Sequence, residues 1–255
     1  MAHFDERTED IQLPVRPAMS KLYKIFPNGI LDVYPNEWGM AINCENPKVL
    51  AYATTITPDV VRNAAAHKVD LIVSHHAAWG FMYEQKDETN RLLSDLNISN
   101  IWCHLPLDKA EFGTANSLLS LISATPITAI ADGEGRIGVL SHTAPLSEIE
   151  YTLDSKLEET PARKHDAGRM VNRVGVVTGA GSRTDYIKEC AQHNVDLYLT
   201  GETSLYLMEY AKFLRVNVLI YSHNYTEVFG TSNFADKLAK ELEISNYGHL
   251  DEFHF

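Results

Sequence analysis

The sequence predicts an α/β protein made of two copies of one unit, and three observations carry that prediction. Short apolar, β-branched runs alternate with stretches of helical spacing from Val49 onward. The order of these runs between 49 and 122 recurs between 171 and 242. Three residue signatures recur in the same order: Val69-Asp70-Leu71 with Val195-Asp196-Leu197, His104-x-x-x-Asp108 with His223-x-x-x-Glu227, and Phe112-Gly113-Thr114-Ala115-Asn116 with Phe229-Gly230-Thr231-Ser232-Asn233. Together they indicate a duplicated unit. Alternating strands and helices make a mostly parallel sheet, whose ligand sites gather at the carboxyl ends of its strands.

In chain order, residues 1–17 lack apolar periodicity, carry Pro14 and Pro17, and read as a flexible leader. The first unit is expected over 18–125. In it VLAYATTI (49–56) is a strand, and Pro58 opens a helix with Val60, Val61, Ala64 and Ala65 on its apolar face. DLIVS (70–74) is a buried strand that ends at His75-His76. A helix around 87–96, the strand ISNIWCH (98–104), a turn at LPLD and a helix from Ala115 to Ile122 complete the unit. A connecting segment, 126–170, holds the turn Asp132-Gly133-Glu134-Gly135 before the strand RIGVL. The second unit, 171–255, starts with the strand VNRVGVVTG and its Gly-rich exit. A helix from Thr184 to His193, a buried strand from Val195 to Thr200 and a helix around 204–213 follow. The strand VNVLIYSH (216–223) and a last helix from about Phe234 to Leu242 end it.

Composition narrows the functions. With 255 residues and 45% of them apolar, the chain can bury a full core and is not a disordered tail. Cys44, Cys103 and Cys190 lie far apart with no C-x-x-C pair, which argues against a disulfide framework or a thiolate zinc site. A reducing, cytoplasmic location is expected. Thirty-four acidic against 22 basic residues give a net charge of -12 with no basic stripe, so nucleic acid is not an expected partner. No apolar run nears the roughly 20 residues of a membrane span, and MAHFDERTEDIQLP is the opposite of a signal peptide.

The residues that can carry chemistry lie at strand ends. His75 and His76 are adjacent on a strand, so their side chains point to opposite faces and suit two metal ions better than one. The duplicated ends add His104, Asp108, His223 and Glu227. Imidazole and carboxylate without thiolate suit zinc, iron, manganese or cobalt in open sites, and a carboxylate can bridge two ions. Without a cation, such a gathering of carboxylates is electrostatically costly. Glu202 stands at the duplicate position of His76, either as a partner or general base of the site or as a carboxylate favoured at a helix N-terminus. Thr178-Gly179-Ala180-Gly181-Ser182 is either a phosphate-receiving turn or a plain tight turn. Asn224, Tyr225 and Thr226 shape a pocket or close a turn, and Trp79 is core, pocket wall or a stacking platform.

These motifs resemble the NIF-three-like dinuclear metal-centre family, also labelled GTP cyclohydrolase I type 2 homologues. The resemblance rests on DLIVSHHAAWGF (70–81), CHLPLDKAEFGTAN (103–116), VTGAGS (177–182), YLTGE (198–202) and SHNYTE (222–227). It departs at Asn36-Glu37-Trp38-Gly39-Met40-Ala41, where relatives carry an Asn-Gly-Leu-Gln-like stretch, and at Val228-Phe229. The resemblance implies two intertwined, duplicated α/β units and two divalent metal ions per subunit, zinc, iron or manganese. Their ligands would be His75, His76, Asp108, His223 and Glu227, with Glu227 bridging. His104 would then stand nearby, although the repeat makes it the counterpart of His223. The resemblance further implies a toroidal homohexamer. The activity it suggests is metal-dependent hydrolysis of a small nucleotide- or pterin-like molecule, with Glu202 or His104 moving the proton. A non-catalytic metal- or cofactor-binding protein and an interaction scaffold are the alternatives.

Overall fold

The two alternating stretches fold as two sheets, each covered by helices on both faces. The structure is a computed structural model and describes residues 17–42 and 46–250. The expected leader lies outside these residues except for Pro17, and Cys44 lies outside them too.

Helices α1 (Pro17–Ile25) and α2 (Ile30–Val33) precede strand β1 (Trp38–Ala41). The first unit continues with β2 (Val49–Thr55), α3 (Pro58–Ala66), β3 (Leu71–His76), α4 (Glu84–Asp95), β4 (Ser99–Cys103), α5 (Leu105–Lys109) and α6 (Thr114–Leu121). The connecting stretch forms β5 (Ala124–Ile130), β6 (Gly135–Ala144), α7 (Leu146–Leu157) and β7 (Arg163–His165). The second unit is β8 (Val171–Val177), α8 (Thr184–Gln192), β9 (Leu197–Thr200), α9 (Leu205–Leu214), β10 (Asn217–Ile220), α10 (His223–Leu242) and β11 (Ser245–His249).

The repeat is visible in the hydrogen bonds. Asp70 Oδ2 accepts from the amides of Lys48 and Val49, and Asp196 Oδ2 accepts from those of Asn172 and Arg173. Each aspartate thus fastens the start of its own strand to the strand before it. His67 and His193 close the C-termini of α3 and α8 in the same way.

The first sheet has the order β1-β4-β3-β2-β11 and is parallel apart from β1. The second has the order β5-β6-β8-β9-β10-β7 and is mixed, with only β8, β9 and β10 parallel. The expectation of a mostly parallel sheet therefore fails for this half. Its cause is the connecting stretch: β5 and β6 are joined by a turn too short for a parallel crossover and pair antiparallel.

Two other readings change. LPLD is the body of the short helix α5 rather than a turn. The strand expected over 216–223 stops at Ile220, and α10 starts eleven residues earlier than expected. Ser222 causes this: its hydroxyl accepts from the Tyr225 amide and caps the helix, although an unbroken apolar run leads into it.

The last helices of the two units trade places. Ala115, Leu118 and Leu119 of α6 pack on the second sheet against Val174, Val176 and Leu199. Phe234, Ala235 and Leu238 of α10 pack on the first sheet against Leu50, Leu71 and Val73. The two helices meet at the repeated Phe-Gly-Thr signature, where a Cβ on Gly230 would lie 2.6 Å from the Thr114 amide nitrogen. Only glycine permits that approach. The opposite faces are covered by α3 and α4 on the first sheet and by α8 and α9 on the second.

Candidate metal centre

Alternation along β3 sets up the centre. Leu71 and Val73 face α10 while Ile72 faces α3, so His75 falls on the α10 side and His76 on the other. The other donors come from helix starts. His104 caps α5 and Asp108 lies on it, while His223 and Glu227 stand one turn apart at the start of α10.

These side chains converge. His75 Nε2 lies 3.4 Å from Asp108 Oδ1 and 3.7 Å from Glu227 Oε1. Glu227 Oε2 lies 3.4 Å from His76 Nε2 and 3.3 Å from His223 Nε2. The carboxylate of Glu227 thus gives one oxygen to each of two donor groups, His75–Asp108 and His76–His223. His104 joins both first-unit histidines in a third group that could hold an ion. Its ring centroid is 4.9 Å from that of His75 and 5.6 Å from that of His76.

Every imidazole is anchored through Nδ1. His75 donates to the Cys103 carbonyl at 2.9 Å, and His104 and His223 meet Glu37 and Glu202 at 2.7 and 2.8 Å. Thr55 gives its hydroxyl proton to Asn224 Oδ1, so at 2.9 Å it receives one from His76 Nδ1. With the proton on Nδ1, the neutral imidazoles of His75 and His76 present an Nε2 lone pair to the centre, and His223 does so once a cation displaces its second proton, the arrangement used by metal-binding histidines. Thr114 donates to Asp108 Oδ1 and is itself met by Thr178.

The donors fit a metal. His75 Nε2 and Glu227 Oε2 are buried with no hydrogen-bond partner, a costly arrangement that a cation relieves. Spacings of 3.3 to 3.7 Å are those of tetrahedral donors about 2.0–2.3 Å from a common centre. Burial pushes His75 down to about 4 and holds His76 well below the usual imidazole range, so both are neutral and ready to ligate at neutral pH. Burial also lifts Asp108 to about 6. For His223 burial is outweighed by the carboxylates of Glu227 and Glu202, and the group rises to about 10. His104 is likewise raised, since Glu37, Asp108 and Glu227 outweigh its burial. The hydrogen bond from His223 holds Glu202 below the usual range.

The glycine-rich turn closes one side. Gly179 has φ +55, and a Cβ there would overlap Glu227 Oε1 and lie 2.7 Å from His223 Nε2. Its amide donates to Thr226, and the Gly181 amide donates to the Gly179 carbonyl. The segment is therefore the tight turn of the two readings, packed on the centre. Glu202 is the partner of His223 Nδ1 rather than a lone carboxylate at a helix end. Asn224, Tyr225 and Thr226 belong to the first turn of α10.

On the His76 side the centre opens into a cleft of about 1070 Å³. His76, His104 and His223 line its floor, Glu37 and Glu202 its rim, and Trp79 one wall. Glu37 lies in the stretch that departs from the family pattern and Thr55 in the strand 49–56, and neither carries a repeated signature that marks it as a site residue. Thr114 belonged to the repeated Phe-Gly-Thr signature and was findable there.

Two interlocked α/β units with His and carboxylate donors gathered at their seam define an α/β protein with a candidate metal centre. The profile of the Duf34/NIF3 (NGG1p interacting factor 3) family matches residues 15–249, and the chain belongs to that family. It is 30% identical over 221 residues to the GTP cyclohydrolase 1 type 2 homolog of Pyrococcus abyssi, covering 82% of this chain and 87% of the relative. The homolog from Borreliella burgdorferi is 25% identical, covering 90% and 96% of the two chains. In fold the chain is similar to TTHA1606 from Thermus thermophilus (TM-score 0.78, 20% identity, 92% and 96% covered). It is similar also to reduced HcgD from Methanocaldococcus jannaschii (TM-score 0.75, 22% identity, 92% and 96% covered).

Proposed function

We propose that the protein is a dinuclear metal-dependent hydrolase acting on a small nucleotide- or pterin-like molecule. The observation that carries this reading is the division of the Glu227 carboxylate between two donor groups at the floor of an open cleft. His75, Asp108 and Glu227 Oε1 would hold one ion, and His76, His223 and Glu227 Oε2 the other. Two such ions, when bound, acidify a water and polarise the group under attack. Cys103, Thr55 and Glu202 fix the tautomer and direction of the three ligating imidazoles. His104 carries the proton: Glu37 orients its Nδ1 and leaves Nε2 facing the centre and the cleft. Glu202 acts through His223 by holding its ring.

The names of the curated relatives support this substrate class. The same reading takes the chain as a cytoplasmic, ring-shaped homohexamer that does not bind nucleic acid. Buried free thiols at Cys103 and Cys190, exposed Tyr206 and Phe213 on α9, and the net charge of -12 are in keeping with it. Among the described residues no helix is long and apolar enough to cross a membrane. Sedimentation velocity tests the assembly. For the reaction, protein reconstituted with zinc, iron or manganese is assayed against nucleotides and pterins. Turnover that chelation abolishes is expected, and tight metal content without turnover of any candidate favours a binding protein instead.

A further inference from the structure

Beyond the ligands, the cleft has a composition of its own. After β3 the chain turns through Trp79, Phe81 and Met82, which form one wall. Trp79 and Phe81 lie nearly parallel, with an interplanar angle of 16° and centroids 6.4 Å apart. Trp79 also meets the His104 ring edge-on at 5.6 Å, so this wall begins at the metal centre. Phe81 is 66% exposed and continues into exposed Met82 and Tyr83, so this wall ends in a contiguous apolar surface rather than a lone exposed ring. Ile56 and Ala78 extend the apolar surface.

The charges point the same way. Glu37, Asp59 and Glu202 line the cleft, and Lys86 is the one lysine or arginine among the described residues that does so. Glu37 and Glu202 are engaged by histidines and Asp59 by Arg62. With a ring held beside the metal centre, a chain of phosphates would point outward along this wall, away from the metal ligands at the floor, where Lys86 is the one cationic side chain among the described lining residues. Phosphate-binding sites instead gather several cations or free amides, and the one glycine-rich turn at the centre has its amides at Gly179 and Gly181 already engaged.

We propose that the Trp79–Phe81 wall selects a planar heteroaromatic ring of low charge, stacked beside the metal centre, with room for at most one anionic group opposite Lys86. The ring is the recognised part, and a polyphosphate tail adds nothing to affinity. This rests on the reading of the cleft as the approach to the metal pair.

Calorimetric titration of the zinc-loaded protein with guanosine, neopterin, GMP and GTP tests it. Guanosine or neopterin is expected to bind, with GTP no tighter than GMP within about threefold. Trp79→Leu is expected to weaken the ring compounds about tenfold or more, the scale of lost base–aromatic stacking. Phe81→Ala, at an exposed position that cannot unfold the core, is expected to weaken them several-fold with zinc content unchanged. Affinity that climbs a hundredfold from guanosine to GTP, indifference to both variants, or no binding by any of the four compounds would overturn the proposal. Because the readout is binding, ring compounds that bind without being hydrolysed uphold it and sink the hydrolase reading. Hydrolysis of a substrate without an aromatic ring does the reverse.

Discussion

Replacing Gly179 by alanine probes the centre without touching a ligand. The added Cβ overlaps Glu227 Oε1 and would lie 2.9 Å from Glu227 Cδ and 2.7 Å from His223 Nε2. Ordinary contacts need several tenths of an ångström more, so the carboxylate must swing away by about 1 Å, enough to spoil coordination by about 10–100-fold. The backbone adds its own cost, since φ +55 is left-handed and costs a non-glycine residue about 1–2 kcal/mol. That strain lowers Tm by about 2–8 °C in a chain of this size. Gly168→Ala separates the two effects, because Gly168 has φ +70 with nothing within 4 Å of its Cβ position. Both variants should melt lower in chelator, and only Gly179→Ala should lose zinc affinity when titrated calorimetrically. Wild-type affinity in Gly179→Ala would refute the account of how the turn and Glu227 pack.

Three more outcomes follow from the same geometry. Glu227→Gln should lower the metal content of both positions, whereas His223→Ala should lower only one, as read by elemental analysis of the purified variants. Because the metal-free His223 titrates near 10, binding at that position displaces a proton: zinc affinity should rise about tenfold from pH 7 to pH 8, and proton release should appear in calorimetry across buffers. Below about pH 6, protonation of Asp108 should weaken the other position as well. Asp70→Ala and Asp196→Ala should each cost about 1–3 kcal/mol in denaturant unfolding, since each strands two backbone amides, and should leave metal stoichiometry unchanged.

The donors were readable because chemistry and repetition coincide in them. A doubled histidine on a strand and two His-x-x-x-acid steps at equivalent places are hard to explain as packing, and the structure draws all six side chains together. The residues that aim those donors were not readable. Glu37 reaches His104 across 67 residues, and Thr55 reaches His76 from a neighbouring strand, so neither has a local signature. Gly179 stood out as a turn glycine, but the carboxylate that forbids a side chain there is 48 positions away in the chain. In the fold, the strands and helices of the repeats followed from periodicity. The start of α10 was hidden because its cap, Ser222, follows an apolar run that reads as one strand. The antiparallel strands β5 and β7 lie in the connecting stretch and have no counterpart in the repeated pattern that identified the rest.

The exchange of α6 and α10 has a consequence for any attempt to divide this molecule. A fragment ending near Gly168 would keep His75, His76 and Asp108 but leave the first sheet without the cover of Phe234 and Leu238. Its complement would keep His223 and Glu227 yet expose the second sheet where Leu118 and Leu119 belong. Neither piece is expected to fold by itself, because each sheet takes one of its walls from the other half of the chain. A cation shared across that seam would act as a clasp, and its departure would loosen both halves together.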